Sequence, residues 1–278
     1  MPAGIRTKRA PVCAIIPCYN CQDTVGRAIQ SVAAQTLIPE ELILVNDAST
    51  DESLEVIRNA TLCCPSDWVR ILKLAENKGV GAARNIGWGV AKSPLIAFLD
   101  ADDTWHPRKI EIQYRWMQDN PNVTLTGHLL ARETRDGEWT SPARVRATCI
   151  TKNQLLFFSP IRTQTIMIRR NEPLRFAERQ RFSEDHFLLV NMACLGRRIV
   201  LLHAVLGRIH KSNFGEGGLS SSLWAMERDQ LKNYVSLLRN RKIGPPLFSF
   251  AVTWSLAKYF RRVVVTRLRR LRQEAKAR

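Results

Sequence analysis

Along the first hundred residues, continuous apolar runs alternate with segments whose apolar positions recur at helical spacing. Residues 12–16 are an apolar run closed by Pro17, the pattern of a buried strand. Residues 24–36 place Val25, Ile29, Val32 and Ala33 on one helical face. The same reading predicts a second strand at 42–45, a helix at 54–59 and a third strand at 71–74. A helix of small residues follows at 80–91, suited to close packing on a sheet, and then a fourth strand at 95–99. This order demands right-handed crossovers and a parallel sheet covered on both faces, so the expected fold class is α/β.

Beyond Trp105 the pattern loosens. It predicts a helix at 108–119 ending before Pro121, a strand at 165–168, a helix at 184–195 capped by Gly196, and a short strand at 199–202. No internal repeat or low-complexity linker interrupts the chain before its tail. Ligands of open parallel sheets sit outside the carboxyl ends of the strands. Three polar segments fall there: Pro17-Cys18-Tyr19-Asn20, the stretch from Asn46 to Asp51, and Asp100-Ala101-Asp102-Asp103.

Three carboxylates within four residues repel one another unless a cation or basic group compensates. At a strand end they suit a hard divalent ion such as Mg²⁺ or Mn²⁺, which keeps positions for substrate phosphates. The competing reading is a solvated acidic turn in which Asp103 or Thr104 caps the next helix. Asp47 has two readings as well, a helix cap or an acceptor for a base N–H. Gly79-Val80-Gly81 lacks the third glycine of a dinucleotide fingerprint and follows the third strand, so a nicotinamide cofactor is disfavoured. Arg84, alone among small residues, suits a guanidinium aimed at a nucleotide.

Four motifs in order carry a family resemblance. They are Ile15-Ile16-Pro17-Cys18-Tyr19-Asn20, Val45-Asn46-Asp47-Ala48-Ser49-Thr50-Asp51, the run from Asn77 to Gly87, and Phe98-Leu99-Asp100-Ala101-Asp102-Asp103. Together they resemble a family-2 glycosyltransferase of the GT-A fold, of the kind that builds bacterial polysaccharide and lipopolysaccharide. The likeness continues through Phe182-Ser183-Glu184-Asp185-His186-Phe187 and fades near Ser222. It implies a Rossmann-like, mostly parallel sheet flanked by helices over residues 1–222. The nucleotide-binding half would be 10–105 and the acceptor half 106–222, with a helical basic tail at 223–278.

By resemblance, Pro17, Tyr19, Asn20 and Asp47 hold the nucleoside, with Asp47 reading uracil, and Arg84 lies beside base or phosphates. Asp100 faces the donor ribose or sugar. Asp102 ligates Mn²⁺ or Mg²⁺ with Asp103 nearby, and His210 adds a metal or diphosphate contact for which Arg208 and Lys211 are rivals. Asp185 is the catalytic base; on local sequence alone it reads more readily as a helix-terminus acid, and the upstream motifs reverse that order. Ala48 stands where the family often has Gly, and Asn46 where Asp is common. The implied reaction is a metal-dependent, inverting transfer of a hexosyl or N-acetylhexosaminyl group, from a nucleotide sugar (a UDP-sugar above all) to a saccharide or lipid-linked acceptor.

Charge changes the picture mainly at the carboxyl end. The formal net charge is +17, and residues 239–278 carry twelve Lys and Arg against Glu274 alone. Val252, Leu256, Phe260, Val264, Leu268 and Leu271 form a helical stripe, with Lys258, Arg261, Arg262, Arg269 and Arg272 on the other side. This is the pattern of a basic amphipathic helix on anionic lipid, or of a helix packed on the body with a solvated basic face. Because the charge is terminal and no recognition module precedes it, nucleic acid is the weaker partner. A noncatalytic nucleotide-sugar binder is the other alternative. The basic start lacks an apolar core, and the longest apolar stretch, 247–257, is short of the ~20 residues that span a bilayer. The expected location is the cytoplasm, peripheral on the inner face of the cell membrane. The seven cysteines show no regular framework, Cys18-x-x-Cys21 included, and read as reduced thiols.

Overall fold

A computed structural model describes residues 9–132, 139, 145–178, 180, 182–210 and 222–277, with side chains up to residue 268. The amino-terminal part follows the expected alternation: β1 (Arg9–Cys18), α1 (Val25–Ala33), β2 (Ile38–Asn46), α2 (Ser53–Thr61), β3 (Val69–Lys73), α3 (Val80–Val90) and β4 (Leu95–Phe98). Pro17 does not close the first strand. It lies opposite Val45, one residue from the end of β1.

β3, β2, β1 and β4 lie side by side and parallel, which sets their carboxyl ends along one edge. Helix α3 packs close beneath them, because a methyl group added at Gly87 would come within 2.7 Å of Ile15 Cγ2. The close packing expected from its small residues is therefore present.

The second half extends the same sheet with mixed polarity. It comprises β5 (Asp103–Trp105), α4 (Lys109–Asp119), β6 (Leu125–Arg132), β7 (Ala147–Cys149), α5 (Lys152–Phe157), β8 (Met167–Arg169), α6 (Glu184–Cys194) and β9 (Ile199–Ile209). β8 pairs antiparallel with β4, and β6 continues the order to β9 and β5. β5, β6, β7 and α5 are additions to the sequence reading, and β9 is far longer than the predicted 199–202. The β5 pairing settles one alternative: Asp103 and Thr104 enter a strand against β9, and Arg108 occupies the N-cap of α4. Gly196, at φ +71, ends α6 as expected, with Arg197 N–H donating to Met192 O at 3.0 Å.

Two helices follow, α7 (Leu223–Arg239) and α8 (Pro245–Ala277). Tyr234, Leu237, Ile243 and Ala251 join the main core with Ile15, Phe98 and Leu189. The predicted tail stripe divides. Val252 packs against that core, whereas Phe260, Val264 and Leu268 are each more than half exposed. No helix among the described residues is long and apolar enough to cross a membrane.

Candidate active site

Every sequence-predicted site residue that the structure describes lies at or beside the carboxyl edge of β1, β2 and β4. At the ends of β1 and β2 the polar residues stitch two loops together. Asn20, at φ +46, accepts at Oδ1 from Thr50 N–H (2.9 Å), and its own N–H donates to Ser49 Oγ (3.2 Å). Ala48 sits at φ +54, a conformation that glycine adopts without cost, which explains why the resemblance expects Gly there. Tyr19 projects from this edge, half exposed.

Asp47 is buried, and both carboxylate oxygens already have partners. Oδ1 accepts from Lys78 N–H and Oδ2 from Gly79 N–H, each at 2.8 Å. It caps neither neighbouring helix; it ties the β3–α3 loop to the end of β2. Each oxygen keeps a second lone pair for a ligand.

Arg84 is held from two sides. Its guanidinium is buried and bridges two acids, donating from Nη2 to Asp100 Oδ1 and from Nη1 to Glu184 Oε1, both at 2.8 Å. Phe176 lies under it, 5.3 Å from ring centre to Cζ. Arg84 thus orients Asp100 within the edge and fastens α6 to α3.

The acidic residues do converge. Asp100, Asp102 and Asp103 each offer an oxygen within 4.8 Å of the others, close enough to share one metal ion. Asp103 is the deepest. Gln164 Nε2 donates to its Oδ2 (2.8 Å), and His210 N–H approaches its Oδ1 (3.4 Å). Burial, then the charges of Asp100 and Asp102, push the Asp103 carboxyl up to about 7. His210 arrives through the β5–β9 pairing, one residue past the partner of Asp103, with Nε2 2.9 Å from Thr104 Oγ1. Of its rivals, Arg208 stacks on Trp139 at 3.9 Å, and Lys211 lies outside the described residues.

Asp185 stands in the first turn of α6. Its Oδ2 accepts from Thr163 Oγ1 (3.0 Å) and its Oδ1 from His186 N–H (2.7 Å). The adjacent Glu184 is buried, and that burial, with the Asp185 charge beside it, raises its carboxyl despite the Arg84 ion pair. Sequence reasoning quoted Glu184 within its motif without giving it a role, and it missed Thr163 and Gln164. A signal existed for the latter two. Thr163-Gln164-Thr165 is a polar triplet flush against a buried strand, and the antiparallel pairing of that strand with β4 brings it beside the acids.

Comparison with known proteins bears on the family and the fold. Residues 13–200 match the family described as "Glycosyl transferase family 2". The succinoglycan biosynthesis protein ExoO of Rhizobium meliloti is 32% identical over 200 residues, covering 66% of this chain and 56% of that protein. The Escherichia coli UDP-Glc:alpha-D-GlcNAc-diphosphoundecaprenol beta-1,3-glucosyltransferase WfaP is 28% identical, covering 66% of this chain and 70% of its own length. The chain spans little more than half the length of the first of these relatives. Among solved structures, S. aureus TarS with UDP-GlcNAc superposes with a TM-score of 0.67 at 19% identity, over 90% of this chain and 72% of that one. The mannosyltransferase PcManGT of Pyrobaculum calidifontis, solved with GDP-Man and Mn²⁺, gives 0.63 at 17% identity over 90% and 74%. At those identities the two structures speak to the fold, which is theirs.

Proposed function

This chain belongs to glycosyl transferase family 2, and we propose that it is a metal-dependent, inverting glycosyltransferase. It would move a hexosyl or N-acetylhexosaminyl group from a UDP-sugar to a saccharide or lipid-linked acceptor in cell-surface polysaccharide synthesis. The observation that carries the reading is the gathering of Asp100, Asp102 and Asp103 around one point at the ligand edge of the sheet, with Asp185 on the neighbouring helix. What ExoO and WfaP are named for, succinoglycan biosynthesis and glucosyl transfer from UDP-Glc to a GlcNAc-diphosphoundecaprenol, supports the polysaccharide, the UDP donor and the lipid-linked acceptor.

The residues fit a hard divalent cation. Their donors are carboxylate oxygens, and the Asp100 and Asp102 charges, which add to burial in raising Asp103, exert a repulsion that a cation relieves. Asp102 and Asp103 would hold Mn²⁺ or Mg²⁺ with His210 alongside, and the ion would offset negative charge on the departing diphosphate. Asp100, braced by Arg84, would face the donor ribose or sugar. Pro17, Tyr19 and Asn20 line the nucleoside side, and Asp47 would read uracil through its remaining lone pairs.

An acceptor hydroxyl is a poor nucleophile until a base takes its proton. Asp185 would do so, with Thr163 and the His186 N–H fixing both of its oxygens. One base and one displacement give inversion. The exposed Phe260, Val264 and Leu268 lie among basic residues, which suits peripheral binding to an anionic membrane on the face that presents the lipid-linked acceptor. The test is turnover of UDP-glucose by the wild type and by Asp185→Asn. Binding of UDP should survive and transfer should collapse; equal turnover by both would overturn the assignment of the base.

A further inference from the structure

Helix α5 ends in carbonyls that have no partner within the helix. Three of them are taken by side chains of three later helices. Leu155 O accepts from His186 Nε2 of α6 (2.7 Å), and Leu156 O accepts from the Tyr234 hydroxyl of α7 (3.0 Å). Phe157 O accepts from Lys258 Nζ (3.0 Å) and Trp254 Nε1 (3.3 Å) of α8.

His186 directly follows Asp185. Its Nε2 faces a carbonyl and must carry the proton, which makes Nδ1 the acceptor. That acceptor is filled by Gln230 Nε2 of α7 at 3.1 Å. A second α7 side chain, Asn233, donates Nδ2 to Ser183 O at 3.2 Å. Ser183 is the residue from which α6 starts, and it sits at φ +58. That left-handed conformation is unfavourable for a residue with a Cβ and persists where surrounding contacts enforce it. Gln230 and Asn233 are three apart, on one face of α7. Between them they hold the residues on either side of Glu184-Asp185.

We propose that Gln230 and Asn233 are positioning residues for sugar transfer. Through His186 and Ser183 they fix the direction in which the Asp185 carboxylate meets the acceptor hydroxyl. The α5 carbonyls extend that frame to α8, so the helix bearing the exposed apolar face and the helix bearing the base are parts of one hydrogen-bonded assembly. The inference rests on the reading of Asp185 as the base.

The test uses the full chain with UDP-glucose as donor and an N-acetylglucosamine diphospholipid as acceptor. Gln230→Leu and Asn233→Leu keep volume and remove the amide donors. The expected result is a fall in kcat on the order of tenfold, since a small misplacement of a reacting group costs that much or more. KM for UDP-glucose and the affinity for UDP should stay within twofold of wild type. Unchanged kcat in both variants, or UDP affinity falling in step with kcat as general loosening would give, overturns the proposal. Should either leucine variant fail to fold, Gln230→Asn shortens the reach while keeping the amide, and an unchanged kcat there counts equally against it. Asp185→Asn in the same assay separates the two claims. If that variant turns over normally the base assignment fails; if it is dead while the α7 variants are normal, the positioning role alone fails.

Discussion

Arg84 and Glu184, one hundred residues apart in the chain, form a buried ion pair at 2.8 Å. The same guanidinium holds Asp100 at the same distance. One side chain of α3 therefore sets the relation between the strand end that carries the acidic cluster and the helix that carries Asp185.

Removing Arg84 leaves Glu184 buried without its partner. Arg84→Met should destabilise the protein by about 3 kcal/mol or more, the usual cost of breaking a buried pair from one side. The double variant Arg84→Met with Glu184→Gln should recover a large part of that loss. Urea denaturation of the wild type, both single variants and the double measures the coupling.

Acid sensitivity has an identifiable source in His128. Burial, then the neighbouring Lys109, push its imidazole from 6.5 down to about 3. It is neutral in the folded chain, while the unfolded chain takes up a proton below pH 6.5. Its contribution is therefore complete above pH 6.5 and is lost as pH falls toward 3. Asp103 and Glu184, whose carboxyls are raised, act oppositely and gain stability as pH falls from 7. Comparison with His128→Gln isolates the histidine. Between pH 7 and pH 5 the wild type should lose about 2 kcal/mol more than that variant, at 1.36 kcal/mol per unit below 6.5.

The packing of α3 makes a third expectation. A methyl group at position 87 would meet Ile15 at 2.7 Å and Val45 at 3.3 Å, both fully buried. Gly87→Ala should cost about 1–3 kcal/mol through overpacking, despite the better helix propensity of alanine. Gly89→Ala, with no atom within 4 Å of the added carbon, should be neutral or stabilising. Thermal melts of the two variants side by side decide this.

The parallel half of the fold was legible because β1, β2 and β4 hold continuous apolar runs buried in the sheet, and its helices keep one spacing throughout. β5 and β7 have three residues each, too short for any periodicity, and β6 is broken by register shifts at His128 and Leu129. The acidic cluster was legible because its members are neighbours in sequence. The contacts of Asp47 with Lys78 and of Arg84 with Glu184 were not, since those partners lie 31 and 100 residues away. The tail stripe was read correctly as helical, but only the fold shows that Val252 is packed and Phe260, Val264 and Leu268 are bare.

Those three residues carry the membrane expectation. The triple variant Phe260→Ser, Val264→Ser, Leu268→Ser keeps the basic charge and removes the apolar face. Flotation with vesicles of phosphatidylglycerol and phosphatidylcholine should recover the wild type and lose most of the variant. Equal recovery would assign any binding to charge alone.

The central claim, that Asp100, Asp102 and Asp103 grip a cation through which a nucleoside diphosphate is held, is met most directly by calorimetric titration of UDP with and without Mn²⁺. Manganese should tighten UDP binding at least tenfold in the wild type, and Asp102→Asn should abolish that gain. UDP affinity that is the same with and without manganese would contradict the account.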